Sequence, residues 1–106
     1  MQQINDAKIS RLKTQSNVPL VYIDWIERNG FGSFGAAGFM VYDGLVPLHE
    51  FNASAPNGYL AFGDDMSGIS SCFSTSGSET VYEWDSATNT ITSAGIGFLD
   101  YVARYA

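Results

Sequence analysis

Residues 59–85 contain three short apolar runs separated by two polar segments, 63–68 and 74–80. The polar segments are rich in Gly, Asp and Ser, and short β-prone runs broken by these residues are typical of strands joined by turns. Turns this short join antiparallel neighbours, because a parallel crossover needs about a dozen residues or more. The pattern therefore predicts a three-stranded antiparallel meander in the middle of the chain.

Further strands are predicted on both sides of this meander. Residues 38–42 (GFMVY) indicate one strand, and residues 45–48 a second short extended piece. Pro47 restricts that piece to a sheet edge or a connection, because proline cannot donate a ladder hydrogen bond. Residues 90–92 predict a short final strand after a turn. The sheet should then have about five to six strands.

Two segments show helical periodicity, residues 18–29 and residues 96–106. In the first, Pro19 suits the first helical position, and Gly30 suits a left-handed cap after the last turn. In the second, Gly97 is the expected N-cap. The apolar positions at helical spacing are Leu20, Ile23 and Ile26 in the first segment and Phe98, Leu99, Val102 and Tyr105 in the second.

Residues 1–17 are compatible with a short helix, with Ile4, Ile9 and Leu12 on one side, or with a mobile arm. Strands grouped between terminal helices predict an α+β fold, in which helices at both ends pack on one face of a mainly antiparallel sheet. The length of 106 residues fits a single domain, residues 1–106.

The glycine-rich segment 30–38 (GFGSFGAAG) contains the spacing G-x-G-x-x-G. A dinucleotide-binding fingerprint must follow a strand and open a helix, so that the pyrophosphate meets the helix N-terminus. Here a predicted helix precedes the glycines and a predicted strand follows them. We therefore interpret the segment as a flexible connection, and we expect no cofactor.

The charge distribution favours a protein partner. Eleven acidic against five basic residues give a net charge of −6, and three of the basic residues precede Asn17. An acidic body is repelled by phosphate backbones, so we expect no nucleic-acid binding. The same surface suits a basic protein, although a moderate negative charge can also serve solubility alone.

Cys72 is the only cysteine, which rules out an internal disulfide and favours a reducing compartment. With no signal-peptide pattern and no long apolar segment, we expect a cytoplasmic protein without membrane contact. Catalysis by Cys72 would need the only histidine, His49, beside it. An apolar strand instead favours a small buried cysteine, so we expect no catalytic residues.

Asp64 and Asp65 form the densest carboxylate pair of the chain. They lack the alternating ligand spacing of a calcium loop, so we predict no metal site. Asp and Gly are favoured in hairpin turns, and a turn explains the pair without a ligand. Their side chains can still point towards a partner. Seven Phe, six Tyr and two Trp exceed the needs of a modest core, and the candidates for exposure are Trp25, Phe31, Phe34, Tyr82 and Trp84.

Three stretches resemble the SUKH superfamily, known mainly as immunity proteins of bacterial polymorphic toxin systems. The first is a helix that begins at Pro19 and ends at Asn29-Gly30. The second is YLAFGDD at residues 59–65 with the strand after it, and the third is VYEWD at residues 81–85 with the strand and helix that follow. The chain departs from the family in its short, basic N-terminus and in having Gly97 where a serine commonly caps the last helix.

This resemblance implies a non-enzymatic protein that binds and neutralises a cognate toxin, such as a basic nuclease, encoded nearby. The alternative is a regulatory or scaffolding interaction module of the same fold. The family has no shared catalytic residues. As a monomer or weak homodimer, the protein would bind its partner through charged contacts with an aromatic anchor. The predicted partner-binding residues are Asp64, Asp65, Tyr82, Glu83, Trp84 and Asp85.

Overall fold

The computed structural model describes residues 1–15 and 17–106 and shows an α+β fold. Its six strands form one antiparallel sheet in chain order, which confirms the predicted meander and fold class. A 3-10 turn, Leu48–Glu50, follows the second strand. The helices are α1 Asp6–Thr14, α2 Leu20–Asn29 and α3 Phe98–Ala103, and the strands are β1 Gly32–Phe34, β2 Phe39–Pro47, β3 Tyr59–Asp64, β4 Ile69–Ser74, β5 Thr80–Asp85 and β6 Thr90–Gly97.

The N-terminal segment forms α1, so of the two predicted alternatives the helix is correct for the described residues; Ser16 lies outside them. Asn5 caps the helix, since its side-chain oxygen accepts a hydrogen bond from the Lys8 N–H at 2.9 Å. Ile9 and Leu12 are buried, as their spacing predicts. In the described part of the chain, no helix combines the length and the apolar character needed to cross a membrane.

Helix α2 begins one residue later than predicted. Pro19 has an extended ψ of 130° and is the N-cap, and its carbonyl accepts hydrogen bonds from the N–H groups of Tyr22 and Ile23. At the other end, Gly30 has the expected positive φ, 86°, but its ψ of −160° lies outside the left-handed helical region. A side chain is excluded here, because a Cβ would lie 2.2 Å from the Gln2 carbonyl oxygen.

The glycine-rich segment forms a β-hairpin, so the prediction of a flexible connection is wrong. Strand β1 pairs with β2 through Phe34↔Phe39 and Gly32↔Val41, and residues 35–38 form the turn. Four glycines in nine residues obscure the strand, because they provide no side chains for an apolar pattern. Helix α2 precedes the glycines and strand β2 follows β1. The segment therefore lacks both the preceding strand and the following helix that a dinucleotide fingerprint requires.

Two strands are longer than their sequence patterns predict. β2 joins the predicted pieces 38–42 and 45–48 into one strand, in which residues 42–45 bulge opposite a single residue of β3. β6 extends to Gly97 because it follows β5 along its whole length, with a register shift before Thr80↔Gly97. In both cases tertiary pairing carries the strand through residues with weak β-propensity.

The sheet buries side chains on both faces. On the helix face, residues of β2 to β5 pack against the three helices, and Phe39, Val41, Phe62, Phe73 and Val81 belong to this core. The other face, here called the open face, has a smaller core covered by the segment that contains the 3-10 turn. Its buried members are Leu48, Ala55, Ala61, Cys72 and Trp84.

Phe62 is the centre of the main core. Its ring centroid lies 4.7 Å from that of Phe73 and 5.1 Å from that of Phe98, and the side chain is fully buried. The residue sits at a register shift between Ala61 and Gly63, so that Phe62 and Gly63 both face the helices. At Gly63 a Cβ would approach the Met40 carbonyl oxygen to 2.3 Å, so the packing leaves no space for a side chain there.

We predict that Phe62→Ala lowers the free energy of unfolding by about 3–5 kcal/mol, because it removes a buried ring and leaves a cavity. Urea denaturation monitored by circular dichroism measures this change. Leu20→Ala is the control, since Leu20 is 70% exposed on α2 and its truncation should cost far less. Equal losses in the two variants would contradict the central role of Phe62.

Candidate functional site

A concave recess of about 480 Å³ opens on the open face of the sheet, beside the turn between β3 and β4. We call it the acid–aromatic recess. It combines three aromatic rings, one carboxylate, one methionine and several small polar groups. Its lining residues are Tyr42, Phe51, Asn52, Asp64, Met66, Gly68, Ser70, Trp84 and Ser86.

The aromatic walls come from three separate elements. Phe51, which follows the 3-10 turn, has its ring centroid 6.5 Å from Trp84 of β5 in a stacked arrangement and 6.4 Å from Tyr42 of β2. Trp84 is only 2% exposed, and its indole Nε1–H donates to Asn89 Oδ1 at 2.9 Å. Phe51 is 49% exposed. The recess therefore has a fixed tryptophan and an accessible phenylalanine beside it.

Asp64 supplies the carboxylate of the recess. Its Oδ2 accepts a hydrogen bond from the Tyr42 hydroxyl at 2.5 Å, and its Oδ1 accepts one from the Met66 N–H at 2.8 Å. Burial and the hydrogen bond to Asp64 raise the pKa of Tyr42, which keeps the tyrosine protonated as the donor. None of the described lining residues is basic. The carboxylate is thus fixed in position, with no cation beside it in the recess.

Asp65 holds the adjoining turn. Its Oδ1 accepts hydrogen bonds from the N–H groups of Ser67 at 2.8 Å and Ile69 at 3.1 Å. Partial burial raises the pKa of Asp65, but these backbone hydrogen bonds outweigh burial, so the pKa lies below its ordinary value. The predicted hairpin turn is confirmed, and the Asp65 side chain serves the turn itself.

The turn holds Met66 outwards. Met66 has a φ of 65°, which is uncommon for a residue other than glycine, and the residue is 68% exposed. A large apolar side chain in a strained, solvent-exposed turn at the rim of a recess has no packing role in the isolated chain. With the exposed Phe51, Met66 gives the recess two accessible apolar side chains.

The structure separates the six predicted partner-binding residues into two groups. Asp64 and Trp84 line the recess, and Asp65 lies in the turn beside it. Tyr82 is also on the open face, where its ring packs against Tyr59 at 5.3 Å. Trp84, one of the five candidates for exposure, is instead buried under the segment with the 3-10 turn.

Glu83 and Asp85 alternate with Trp84 along β5 and therefore face the other way. Glu83 Oε2 accepts a hydrogen bond from the Tyr101 hydroxyl of α3 at 2.8 Å, and the same hydroxyl is 2.7 Å from Ser71 Oγ. Asp85 Oδ1 accepts the Ala87 N–H in the next turn. These two carboxylates do not join Asp64 in one site, because successive strand residues point to opposite faces.

Sequence reasoning missed seven of the nine lining residues of the recess, and the three largest of these are Tyr42, Phe51 and Met66. A signal existed for two of them. Met66 is an apolar residue inside a Gly-Asp-Ser turn, and Phe51 is an aromatic residue in a polar segment after Pro47. No sequence signal identified Tyr42, because a strand pattern does not predict which carboxylate accepts the hydrogen bond from its hydroxyl.

Cys72 lies below the open face and is fully buried. Burial raises the pKa of its thiol to about 12, so the nucleophilic thiolate is scarce at neutral pH. His49 is exposed on the 3-10 turn. Among the described residues, no group of three or more His, Cys, Asp or Glu side chains is arranged to hold a metal ion.

Comparison with protein-family models, curated proteins and solved structures finds nothing that matches this chain. The resemblance to the SUKH superfamily therefore remains a hypothesis based on sequence motifs. The chemistry of the recess must be argued from its own residues. Aromatic faces beside a carboxylate fit a Lys or Arg side chain, which gains cation–π attraction from the rings and an ion pair with Asp64.

We predict that Asp65→Asn changes stability in a pH-dependent way. The pKa of Asp65 is lower in the folded than in the unfolded state, so its stabilisation is complete above the unfolded value of about 3.9 and is lost as the pH falls towards the folded value. The wild type should exceed the variant in stability most at about pH 7, and the difference should shrink by about pH 2–3. Urea midpoints across this range test it; a constant difference would contradict it.

Proposed function

We propose that this protein is a toxin-immunity protein, which binds a basic bacterial toxin and neutralises it by covering an essential surface. The acid–aromatic recess carries the proposal. It offers a fixed carboxylate and an accessible ring on the sheet face that the helices leave uncovered, and it suits a cationic side chain of a protein partner. The recess suggests only a basic protein partner, and the resemblance to the SUKH superfamily is the reason for proposing that this partner is a toxin.

The net charge of −6 supports the same kind of partner. Complementary electrostatic fields accelerate the encounter of an acidic and a basic protein. The accessible Phe51 ring would then act as an aromatic anchor that slows dissociation. The Cys72 thiol, buried and protonated, is a poor nucleophile, which argues against an enzyme built on that residue. Binding without chemistry is therefore the activity that these residues support best.

The alternative is a regulatory or scaffolding module that uses the same recess for a basic partner without toxicity. The recess does not distinguish these two functions, because it indicates only the charge and shape of the side chain that it would bind. Tagged protein should be tested for binding to the products of neighbouring genes at low and high salt. A basic partner whose toxicity is suppressed on co-expression supports immunity; a non-toxic partner supports the alternative.

Asp64→Asn should slow association with that partner about 2- to 10-fold at low salt and flatten the salt dependence of the rate. The change removes the charge and keeps one oxygen that can accept from the Met66 N–H, while the amide nitrogen, in place of Oδ2, can donate to the Tyr42 hydroxyl oxygen. Stopped-flow or surface-binding kinetics measure it. Asp100→Asn, an exposed carboxylate of α3, is the control and should change the rate less. Equal effects would indicate general charge rather than the recess.

Phe51→Ala should accelerate dissociation about 5- to 30-fold, because truncating an aromatic anchor at an interface costs about 1–2 kcal/mol. Leu99→Ala is matched in exposure, 53% against 49%, and lies on α3, where it should leave dissociation unchanged. Glu83→Gln should lower stability and spare binding, since Glu83 holds Tyr101 on the helix face. An unchanged dissociation rate for Phe51→Ala would exclude the recess as the contact.

A further inference from the structure

A second concave surface lies between α1 and the bulged part of β2. It encloses about 630 Å³ and shares Tyr42 and Phe51 with the acid–aromatic recess. We call it the helix–bulge groove. Its wall consists of α1 residues on one side and residues 40–46 of β2 on the other, with Phe31 and Phe51 completing it.

The groove is mostly apolar and open to solvent. Leu12 of α1 and Val41 of β2 are buried beneath it, whereas Met40, Leu45 and Val46 are half-buried at its surface. The pairing of β1 with β2 ends at Gly32↔Val41, so no β1 residue continues along the bulge. Strand β1 therefore leaves the apolar surface of the bulge uncovered.

The charges at this groove differ in sign from those of the recess. Lys8 and Arg11 line it from one side of α1, three residues apart, and Lys8 forms an ion pair with Asp43 of the bulge. Arg11 is exposed, and within the described residues 1–15 and 17–106 no carboxylate lies within 4 Å of its guanidinium. One cation with unused donors thus lies over an apolar groove.

We propose that the helix–bulge groove is an interaction surface for a partner-protein segment that combines apolar side chains with one Glu or Asp. The apolar side chains would lie against the β2 bulge, and the carboxylate would pair with Arg11. A guanidinium suits this role because its planar donors can hold both oxygens of one carboxylate. The groove shares Tyr42 and Phe51 with the recess, but its charge selection is separate, since the recess selects a cation through Asp64 and the groove selects an anion through Arg11.

Two acetylated peptide amides, Leu-Glu-Phe-Leu and Leu-Gln-Phe-Leu, test the proposal on the isolated chain. They differ only in one charge. Titration into isotope-labelled protein, followed by nuclear magnetic resonance, should shift the backbone signals of Arg11, Leu12, Gly44 and Leu45. The Glu peptide should bind about 2- to 5-fold more tightly, which is the range expected for one exposed ion pair.

Arg11→Gln should abolish the preference for the Glu peptide and leave the weak apolar binding. Lys13→Gln is the matched control on the same helix, because Lys13 lies outside the groove lining and is 3.8 Å from Glu27. This variant should keep the preference. Both residues are exposed, so neither change threatens the fold.

Equal affinity of the two peptides for the wild type would overturn the proposal, as would a preference that persists in Arg11→Gln. Peptide-induced signal shifts confined to residues outside the groove would also overturn the proposal. Groove signals that move on dilution without peptide would show that a second copy of the chain occupies the surface instead. None of these outcomes bears on toxin binding, which Asp64→Asn tests without changing a residue of the groove lining.

Discussion

The packing of Phe62 against five other aromatic rings is the interaction on which the rest of the structure depends. Its ring centroid lies between 4.7 and 6.4 Å from those of its neighbours on the sheet and on two helices. This contact attaches α2 and α3 to the middle of the sheet and buries rings that would otherwise be exposed. The five neighbours are Tyr22, Phe39, Phe73, Phe98 and Tyr101.

The register shift that seats Phe62 also builds the acid–aromatic recess. Phe62 and Gly63 both face the helices, so the alternation of β3 is reset and Asp64 faces the open side opposite Ser70. Regular alternation would direct Asp64 to the helix face. The buried ring and the fixed carboxylate are therefore two results of one irregularity, and Gly63 allows it because no side chain fits there.

Within the described residues, the two concave surfaces carry unpaired charges of opposite sign. Asp64 marks one and Arg11 the other, and Phe51 with Tyr42 lies between them. The two surfaces therefore differ in the side chains that they would select, a cation at Asp64 and an anion at Arg11. Net charge alone does not show this difference between the two surfaces.

Much of the fold could be predicted from the sequence. The turn residues at 63–68 and 74–80 determine the meander, since Gly, Asp and Ser allow the tight connections that antiparallel neighbours need. Helical spacing predicts α2 and α3 for the same local reason. Strand β1 could not be predicted, because the glycines of the hairpin provide little apolar pattern and the strand depends on pairing with β2.

The sequence by itself determined the types and order of most elements and the acidic charge, and it named Asp64 and Trp84 as candidate contacts. The tertiary structure alone decided which side chains share a surface. It directed Glu83 to Tyr101 on the helix face, buried Trp84, and brought Tyr42, Phe51 and Met66 around Asp64. The physical reason is that local propensities are set within a few residues, whereas strand register and bulges depend on how the distant core packs.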